Sequence, residues 1–328
     1  MQVIEAREPG GPDVLERAQR PDPTPGPGQI VVDVAASGVN FIDTYVRSGV
    51  YPGDFPLVPG NEGAGEVIAL GDGVTEVSVG DRVAWASSGG DSYARYLLIE
   101  AAKVVPVPVD LDLRTAAALP LQGMTAHVLV DGVHDLQPGE TILVTAGAGG
   151  VGLLLTQLAA ARGARVITTV STDAKEKLSR AAGADEVIRY EAFSDMTTQL
   201  AAAVRDLTDG RGVDVAYDGV GKATFDGSLD SVRTRGLLVL FGGASGQVPP
   251  FDPQRLNTAG SLFLTRPTVF HYIAERHELL RRAEAVFGAV TDARLQVRIG
   301  AEYPLEQAAR AHADLEGRRT TGKVLLAG

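Results

Sequence analysis

A glycine-rich segment near the middle of the chain has the spacing of a dinucleotide-binding turn. The pattern is Gly-x-Gly-x-x-Gly, and its residues are Gly147, Gly149, Gly150, Val151 and Gly152. One glycine permits a tight turn, one lets backbone N–H groups approach a pyrophosphate, and one lets the helix pack closely on the strand. The positive end of a helix that begins near Gly149 would face the phosphates. Glycines here can also be simple turn residues, so the interpretation depends on the surrounding elements.

Alternating strand and helix patterns surround these glycines. Apolar runs predict strands at 141–145, 165–170, 185–189, 213–217 and 236–241. Helical periodicity predicts helices at 172–182, 194–207 and 223–232. Strands and helices that alternate in this way form a parallel sheet with right-handed crossovers, and a ligand lies across the carboxyl ends of its strands. The loops expected to contact it are 170–175, 218–221 and 241–245.

The parts of the chain on either side of this segment have a different sequence pattern. Residues 1–120 predict short strands at 29–34, 65–69, 82–86 and 93–99. After residue 265 the pattern predicts an amphipathic helix at 272–290, a strand near 294–303, a helix at 305–315 and a strand at 323–326. These last elements are expected to return to the first domain, so the cofactor domain is an insertion. The predicted domains are a catalytic domain at 1–121, a Rossmann domain at 122–265, and a return to the catalytic domain at 266–328.

Composition narrows the classes of protein. The 328 residues, 45% of them hydrophobic, are enough for about two domains with sizeable cores. A net charge of −11 disfavours a nucleic-acid partner. No apolar run reaches the roughly 18 residues needed to span a bilayer, and the charges of Glu5, Arg7 and Glu8 are unlike a signal peptide, so a cytoplasmic location is expected. The absence of cysteine excludes disulfides and thiolate chemistry.

Several segments together carry a family resemblance. They are residues 38–45, 59–65, 80–83, 146–152, 217–221, 241–242 and 265–267. Over essentially its whole length the chain resembles the medium-chain dehydrogenase/reductase superfamily, and within it the zinc-free NADPH:quinone oxidoreductases of the zeta-crystallin-like branch. The resemblance implies an α/β protein in which a Rossmann domain, with its doubly wound parallel sheet, is inserted in a GroES-like β-rich catalytic domain. It also implies an active site in the cleft between the two.

The chain departs from the zinc-dependent members of that superfamily at the metal ligands. Those members place a cysteine where this chain has Val39 and Asn40, and a His-Glu pair where it has Asn61 and Glu62. The five histidines show no metal-binding spacing, and His271 and His277, predicted on one helix, are six residues apart and thus on different faces. We therefore expect no metal. Without a Lewis acid an alcohol oxidation could not stabilise its alkoxide, whereas a conjugated quinone or enone delocalises the incoming charge.

The resemblance implies three residues beside the reacting carbon. Asn40 would contact the nicotinamide ribose or a substrate oxygen, although its position three residues before Asp43 also suits a helix cap. Tyr45 would place its hydroxyl near the nicotinamide, and its alternative is a core aromatic residue. Thr125 would lie by the nicotinamide or cap a helix. Asp43 is interpreted as structural, and Glu62 as a residue that orders its loop.

Residues after the second predicted strand favour NADPH over NADH. NAD-specific sites carry a carboxylate there for the ribose hydroxyls, whereas this chain has Ser171, with Lys175 one helical turn later. Lys175 resembles the ligand of the 2′-phosphate, and Tyr190 resembles an aromatic residue beside the same pocket. Asp173 is interpreted as an acid of the first helical turn. The family pattern adds further cofactor contacts at Val220, Phe241, Gly242, Gly243, Arg266 and Lys323.

The resulting expectation is an NADPH-dependent enzyme that reduces quinones or related conjugated carbonyls by direct hydride transfer, without metal or flavin. One alternative is a reductase of alkenal or enone double bonds. Another is a non-catalytic NADPH-binding protein, comparable with the crystallin and RNA-binding roles of relatives. A homodimer is expected, because the apolar segment 261–265 would otherwise leave an unpaired sheet edge.

Overall fold

The computed structural model describes residues 1–86 and 89–327. The chain divides into two compact units, one formed by Met1–Met124 with the chain from Tyr272 onward, and the other by Thr125–His271. The domain limits drawn from the sequence, with 122–265 as the Rossmann part, stay a prediction. Within the described ranges no helix combines the length and apolar character needed to cross a membrane.

The first stretch of the first unit is mostly β-structure. Its strands are β1 (Gln2–Ala6), β2 (Leu15–Gln19), β3 (Gln29–Val39), β4 (Glu62–Leu70), β5 (Arg82–Ala86), β6 (Tyr96–Glu100) and β7 (Val104–Pro106). Its helices are α1 (Phe41–Arg47), α2 (Leu113–Ala117) and the first part of α3 (Pro120–His127), whose last three residues belong to the second unit. The sequence prediction misses β1 and β2, which pair with each other. The alternation of apolar and polar residues is weak in β2, because two neighbouring charged side chains are both exposed to solvent. The strand is therefore defined by its pairing with β1 and not by its local sequence pattern.

The second unit is a doubly wound parallel sheet. Its strands are β8 (Thr141–Val144), β9 (Arg165–Val170), β10 (Glu186–Arg189), β11 (Val213–Asp218), β12 (Val232–Leu240) and β13 (Phe263–Thr265). Its helices are α4 (Gly150–Ala161), α5 (Asp173–Ala181), α6 (Met196–Leu207), α7 (Phe225–Asp230) and α8 (Gln254–Thr258), and α9 (Val269–Tyr272) ends at its boundary. The strand order is β10-β9-β8-β11-β12-β13, and every neighbouring pair is parallel. The predicted Rossmann fold is confirmed.

The chain beyond α9 completes the first unit. It forms α10 (Arg276–Thr291), β14 (Ile299–Pro304), α11 (Ala308–Glu316) and β15 (Lys323–Ala327). β15 pairs antiparallel with β3 and parallel with β14. The sheet therefore has the order β14-β15-β3-β4-β5-β7, and β6 also pairs with β3. The predicted return of the chain to a GroES-like β-rich fold is confirmed.

Two predicted helices need correction. The helix predicted at 272–290 is broken, because α9 ends at Tyr272 and α10 begins only at Arg276, after an extended Glu275. The helix predicted at 223–232 ends at Asp230, and Val232 already belongs to β12. Val232 is buried and pairs with Val213, so burial in the sheet outweighs helical periodicity there.

Apolar strand residues build the core of each unit. In the second unit Leu143, Ile167 and Ala216 come from three neighbouring strands and are fully buried. In the first unit Trp85 and Val67 are equally buried within the β-rich part. Continuous burial of central strands is typical of a parallel sheet that helices cover on both faces. These two frameworks hold the ends of the strands, where the candidate site residues lie.

Candidate functional site

The turn from β8 to α4 leaves no room for side chains at two of its glycines. A Cβ atom at Gly152 would collide with the carbonyl oxygen of Ala146, and one at Gly147 would lie 2.6 Å from the Cβ of Thr168. Ala146 itself adopts a left-handed backbone conformation with φ of 54°. The tight turn and the close packing expected from the glycine spacing are therefore both present.

The same turn forms a cradle for an anion at the start of α4. Gly149 is the N-cap residue, and Gly150 and Val151 begin the helix. The first N–H groups of a helix have no partner within it and carry the positive end of the helix dipole. The backbone of this turn, without side chains at its glycines, therefore fits the diphosphate of a dinucleotide.

A buried carboxylate, Asp218, holds two neighbouring loops together at the end of β11. It is fully buried, and it accepts hydrogen bonds from the N–H groups of Val220 at 2.8 Å and Gly221 at 3.0 Å. Its oxygens also accept from the hydroxyls of Thr224 and Ser228, both at 2.7 Å. The sequence analysis missed this positioning role. An acid that directly follows the predicted strand at 213–217 and opens a loop expected to contact the ligand was the available signal.

The loop after β12 packs against the loop after β11. The N–H of Phe241 donates to the carbonyl of Asp218 at 2.8 Å, and the Ser245 N–H donates to the Val220 carbonyl at 2.8 Å. A side chain on Gly242 would collide with the carbonyl oxygen of Gly219. The structure thus brings Val220, Phe241, Gly242 and Gly243 into one pair of loops at the carboxyl ends of their strands.

The end of β9 carries the residues predicted to choose the cofactor. Ser171 follows β9 directly, and Thr172 caps α5 by accepting the N–H of Lys175 at 3.3 Å. The N–H of Tyr190, at the end of β10, donates to the carbonyl of Val170 at 3.2 Å. Ser171, Lys175 and Tyr190 are therefore grouped at one sheet edge.

Two charged residues near this edge already have ion-pair partners. Arg189 forms ion pairs with Asp173 and, at 3.4 Å, with Glu176. Asp173 therefore neutralises Arg189 in addition to its expected place in the first turn of α5.

In the first unit the side chain of Asn40 is the centre of a buried hydrogen-bond network. Asn40 is 5% exposed, and its Nδ2 donates to Glu62 Oε2 at 2.8 Å and to the Gly38 carbonyl at 3.3 Å. Its Oδ1 accepts from Lys323 Nζ at 2.9 Å and from Gln122 Nε2 at 3.2 Å. Both hydrogens and both lone pairs of the amide are thus in use. The expected direct contact of Asn40 with a ligand would require one of these bonds to break.

Glu62 and Lys323 form a buried ion pair beside Asn40. Glu62 is fully buried and Lys323 is 1% exposed. Glu62 Oε1 also accepts the N–H of Leu121 at 2.7 Å. Gly38 lies against this pair, because a Cβ there would collide with Glu62 and lie 2.7 Å from Lys323 Nζ. The cofactor contact of Lys323 stays a prediction, and its ammonium is buried and paired with an internal carboxylate.

Asp43, at the start of α1, connects Asn40 to a second buried chain of polar groups. Its Oδ2 accepts the N–H of Asn40 at 2.8 Å and the hydroxyl of Tyr93 at 3.2 Å, and its Oδ1 accepts Asn61 Nδ2 at 2.6 Å. Burial raises the pKa of Asp43 to about 6, although these hydrogen bonds and the Lys323 charge oppose the shift. The structural role expected of Asp43 therefore includes holding both Asn40 and Asn61.

The chain of polar groups continues from Tyr93 toward the surface. The hydroxyl of Tyr93 lies 2.9 Å from Nε2 of His312, and Nη1 of Arg47 lies 3.0 Å from Nδ1 of that histidine. Arg47 also pairs with Glu316 at 2.8 Å. Burial, and then proximity to the Asp43 carboxylate, raises the pKa of Tyr93 well above its usual value.

The remaining predicted residues have simpler surroundings. Tyr45 is half-buried in α1, and its ring meets that of Tyr51 edge-on at a centroid distance of 5.3 Å. Thr125 lies inside α3, so it does not cap a helix start. Arg266 is exposed just after β13. All three stay predictions as ligand contacts.

Histidines do not assemble with acids into a metal site in the part of the chain that the structure describes, where no group of three or more possible ligands occurs. The prediction that His271 and His277 share a helix is corrected, since His271 lies in α9 and His277 in α10.

Comparison with known proteins places this geometry in a family. Residues 26–109 match the alcohol dehydrogenase GroES-like domain, and residues 150–285 match the zinc-binding dehydrogenase domain. A quinone oxidoreductase of Pseudomonas aeruginosa is 43% identical over 97% of this chain and 96% of its own length. A 2-haloacrylate reductase of a Burkholderia species is 40% identical, over 97% of this chain and 96% of its own. A mycobacterial protein solved in complex with NADPH is 50% identical, with full coverage of both chains and a TM-score of 0.97.

The GroES-like and Rossmann units, with a glycine turn at the start of α4, define a medium-chain dehydrogenase/reductase. Within that superfamily the chain belongs to the quinone oxidoreductase, or zeta-crystallin-like, branch.

Proposed function

We propose that this protein is an NADPH-dependent reductase of quinones that transfers hydride directly, without a metal or a flavin. The observation that carries the proposal is the similarity, over nearly the whole chain, to a quinone oxidoreductase at 43% identity. The relative solved with NADPH, at 50% identity, supports the choice of cofactor. A cytoplasmic location, expected from the sequence, is part of the proposal.

The cofactor fits the second unit in two places. The start of α4, from Gly149 to Gly152, would hold the diphosphate through backbone N–H groups. Ser171 and Lys175 would bind the 2′-phosphate, since a hydroxyl and an ammonium group do not repel it as a carboxylate would. NADPH, when bound, supplies the hydride. The Asp218 carboxylate keeps the loop at Val220 in place for the cofactor.

The first unit and helix α3 would contribute the polar groups of the reaction. The Tyr45 hydroxyl would orient the quinone oxygen on which negative charge develops, and Thr125, the first residue of the second unit, would act similarly from α3. Asn40, held by Glu62 and Lys323, orders the start of α1, and Gly38, two residues earlier, leaves room for that ion pair. The protein's part is thus orientation and exclusion of water, with weak polarisation by hydrogen bonds.

Turnover of a quinone panel tests the proposal. NADPH consumption, followed by absorbance, is measured with 9,10-phenanthrenequinone, 1,4-quinones and alkenals, before and after prolonged dialysis against a strong chelator. We expect quinone turnover that dialysis leaves unchanged. Tyr45→Phe should lower kcat/KM by about 10- to 1,000-fold, while Tyr96→Phe serves as the matched control. Tight NADPH binding without turnover of any acceptor would instead favour a non-catalytic role.

A second candidate activity follows from the 2-haloacrylate reductase at 40% identity. That similarity favours reduction of a carbon–carbon double bond conjugated to a carbonyl group. The same panel separates the two activities, because faster turnover of alkenals and enones than of any quinone would support the second one.

The proposal includes a homodimer formed through β13. Among the strands of the described residues β13 has one neighbour, β12, and Phe263 on it is 64% exposed. Pairing of two such edges would cover exposed N–H and C=O groups and continue the sheet across a two-fold axis. Light scattering at micromolar concentration should give the mass of two chains, and Phe263→Lys should shift it toward one. A wild-type protein that is wholly monomeric would contradict this part.

A further inference from the structure

The buried network around Asn40 ends at an oxygen atom that has no hydrogen-bond partner among the described residues. We propose that Gln122 is a ligand-binding residue, and that its Oε1 accepts a hydrogen bond from a neutral O–H or N–H group of the molecule in the site. The inference rests on the proposed function and deepens it, because it adds a recognition group to the same site.

The charged pair determines which way each amide points. The Glu62 carboxylate only accepts and the Lys323 ammonium only donates, so Asn40 must turn Nδ2 toward Glu62 and Oδ1 toward Lys323. Asn40 Oδ1 then faces Gln122 at 3.2 Å and requires a donor. Gln122 must therefore direct Nε2 toward Asn40, because the reversed amide would bring two oxygens together. Its Oε1 is left as the outward end of the network.

This oxygen is an acceptor in need of a donor. Gln122 Oε1 is buried from solvent, and it has no hydrogen-bond partner within residues 1–86 and 89–327. Buried side-chain oxygens are nearly always paired. The rest of the side chain is only half-buried, so a ligand could reach it without unfolding α3. The neighbouring amide, Asn40, has used all its hydrogens and lone pairs, so Gln122 is where this network can meet a bound molecule.

The need for a hydrogen-bond donor limits which molecules can bind at Gln122 Oε1. A quinone carries only acceptor oxygens and cannot satisfy Oε1. Two sources in the proposed reaction carry a neutral donor: the carboxamide and ribose hydroxyls of the nicotinamide half of the cofactor, and the hydroxyls of the reduced hydroquinone. Gln122 would therefore recognise either the cofactor or the product, and it would not retain the oxidised substrate.

Two variants separate loss of the acceptor from disturbance of Asn40. Gln122→Met removes both polar atoms. Gln122→Lys keeps a donor for Asn40 Oδ1 but has no acceptor. Gln137→Met is the control, because Gln137 is exposed and its side-chain amide donates to the Asp135 carbonyl, outside the network. The dissociation constants of NADPH, of adenosine 2′,5′-bisphosphate and of a soluble hydroquinone are measured for each protein.

We expect both Gln122 variants to bind one donor-bearing ligand about 5- to 30-fold more weakly, the usual effect of one hydrogen bond. Weaker NADPH with unchanged adenosine 2′,5′-bisphosphate would assign the contact to the nicotinamide half, and weaker hydroquinone with unchanged NADPH would assign it to the product. Binding of all ligands within twofold of wild type would overturn the inference, and so would recovery of binding in Gln122→Lys.

Failure of the proposed function would look different. It would be seen in the wild-type protein, as absent NADPH binding or absent turnover of the quinone panel. Unaltered binding by the Gln122 variants beside an active wild-type enzyme would defeat only the inference about Gln122.

Discussion

Arg47 donates a hydrogen bond to Nδ1 of His312 across 3.0 Å, in a buried part of the first unit. Because a guanidinium cannot accept, Nδ1 carries the lone pair, and Nε2 carries the proton that it donates to the Tyr93 hydroxyl. Tyr93 then donates to Asp43. The hydrogen bonds run in one direction from Arg47 to Asp43 and require a neutral imidazole. Burial, and then the Arg47 charge, lowers the pKa of His312 to about 3.

His312 should make the protein sensitive to acid. An unfolded histidine titrates near pH 6.5, so between pH 6.5 and about 3 only the unfolded state binds the extra proton, and stability falls as pH falls. In His312→Gln the loss of unfolding free energy between pH 7 and pH 5 should be smaller by on the order of 2 kcal/mol. Urea denaturation at both pH values measures this, with the exposed His277→Gln as control. An equally steep loss in His312→Gln would refute the expectation.

Asp43 should act on stability in the opposite direction and on activity in the acid range. Its pKa is raised from 3.8 to about 6, so its contribution to stability is full below pH 3.8 and is lost as pH rises through 6. Protonation removes lone pairs that hold Asn40 and Asn61, so kcat/KM should fall as pH falls through 6. Asp43→Asn should abolish that fall between pH 7.5 and pH 5.5, whereas the exposed Asp110→Asn should retain it. If kcat/KM still falls with pH in Asp43→Asn, another titrating group causes the fall.

Lys175 should determine the preference for NADPH. A charge-assisted contact contributes roughly 1.5–3 kcal/mol, so Lys175→Ala should weaken NADPH about 10- to 150-fold and leave NADH nearly unchanged. Ser171→Asp combined with Lys175→Ala should go further, by repulsion of the phosphate. The ratio of kcat/KM for the two nucleotides is measured with one quinone held fixed, and Lys177→Ala on the same helix is the control. An unchanged ratio in the double variant would place the phosphate pocket elsewhere.

The ion pair of Lys323 and Glu62 should be costly to break from one side. Lys323→Met leaves a buried carboxylate without its cation and should lower the free energy of unfolding by about 3–5 kcal/mol. Lys323→Met together with Glu62→Gln should recover more than half of that loss. Urea denaturation at pH 7.5 is the measurement. Lys103→Met, which breaks an exposed ion pair with Glu100, should change little. No recovery in the double variant would mean that packing, rather than charge, accounts for the loss.

Local signals account for what the sequence could predict. The strand at 165–170, the N-cap Thr172 and the glycine turn at 147–152 are each set by residues a few positions apart, and the structure has them as expected. The break between α9 and α10 escaped prediction, because the apolar periodicity runs on through residues that the fold bends.

The site residues were harder to interpret because their partners are distant in sequence. Lys323 pairs with Glu62 across 261 positions, and His312 meets Arg47 across 265. A lysine at the start of a predicted strand is usually an exposed cation, which is why the burial of Lys323 in an ion pair was not predicted. Gln122 gave no signal at all, since its role follows only from the orientation of Asn40.

Because Lys323 belongs to β15, the last strand of the described chain, its buried ion pair with Glu62 can form only late in the synthesis of the protein. Glu62 leaves the ribosome 261 residues ahead of its counter-ion, and at usual elongation rates that interval lasts on the order of tens of seconds. The whole inserted unit can fold within it. Throughout that time β3 lacks its neighbour β15. The Glu62 carboxylate also lacks the cation that offsets the cost of its burial. The β-rich unit therefore stays incomplete until its last strand is made, and a pause or truncation before residue 323 should yield a folded Rossmann unit attached to an unfinished one.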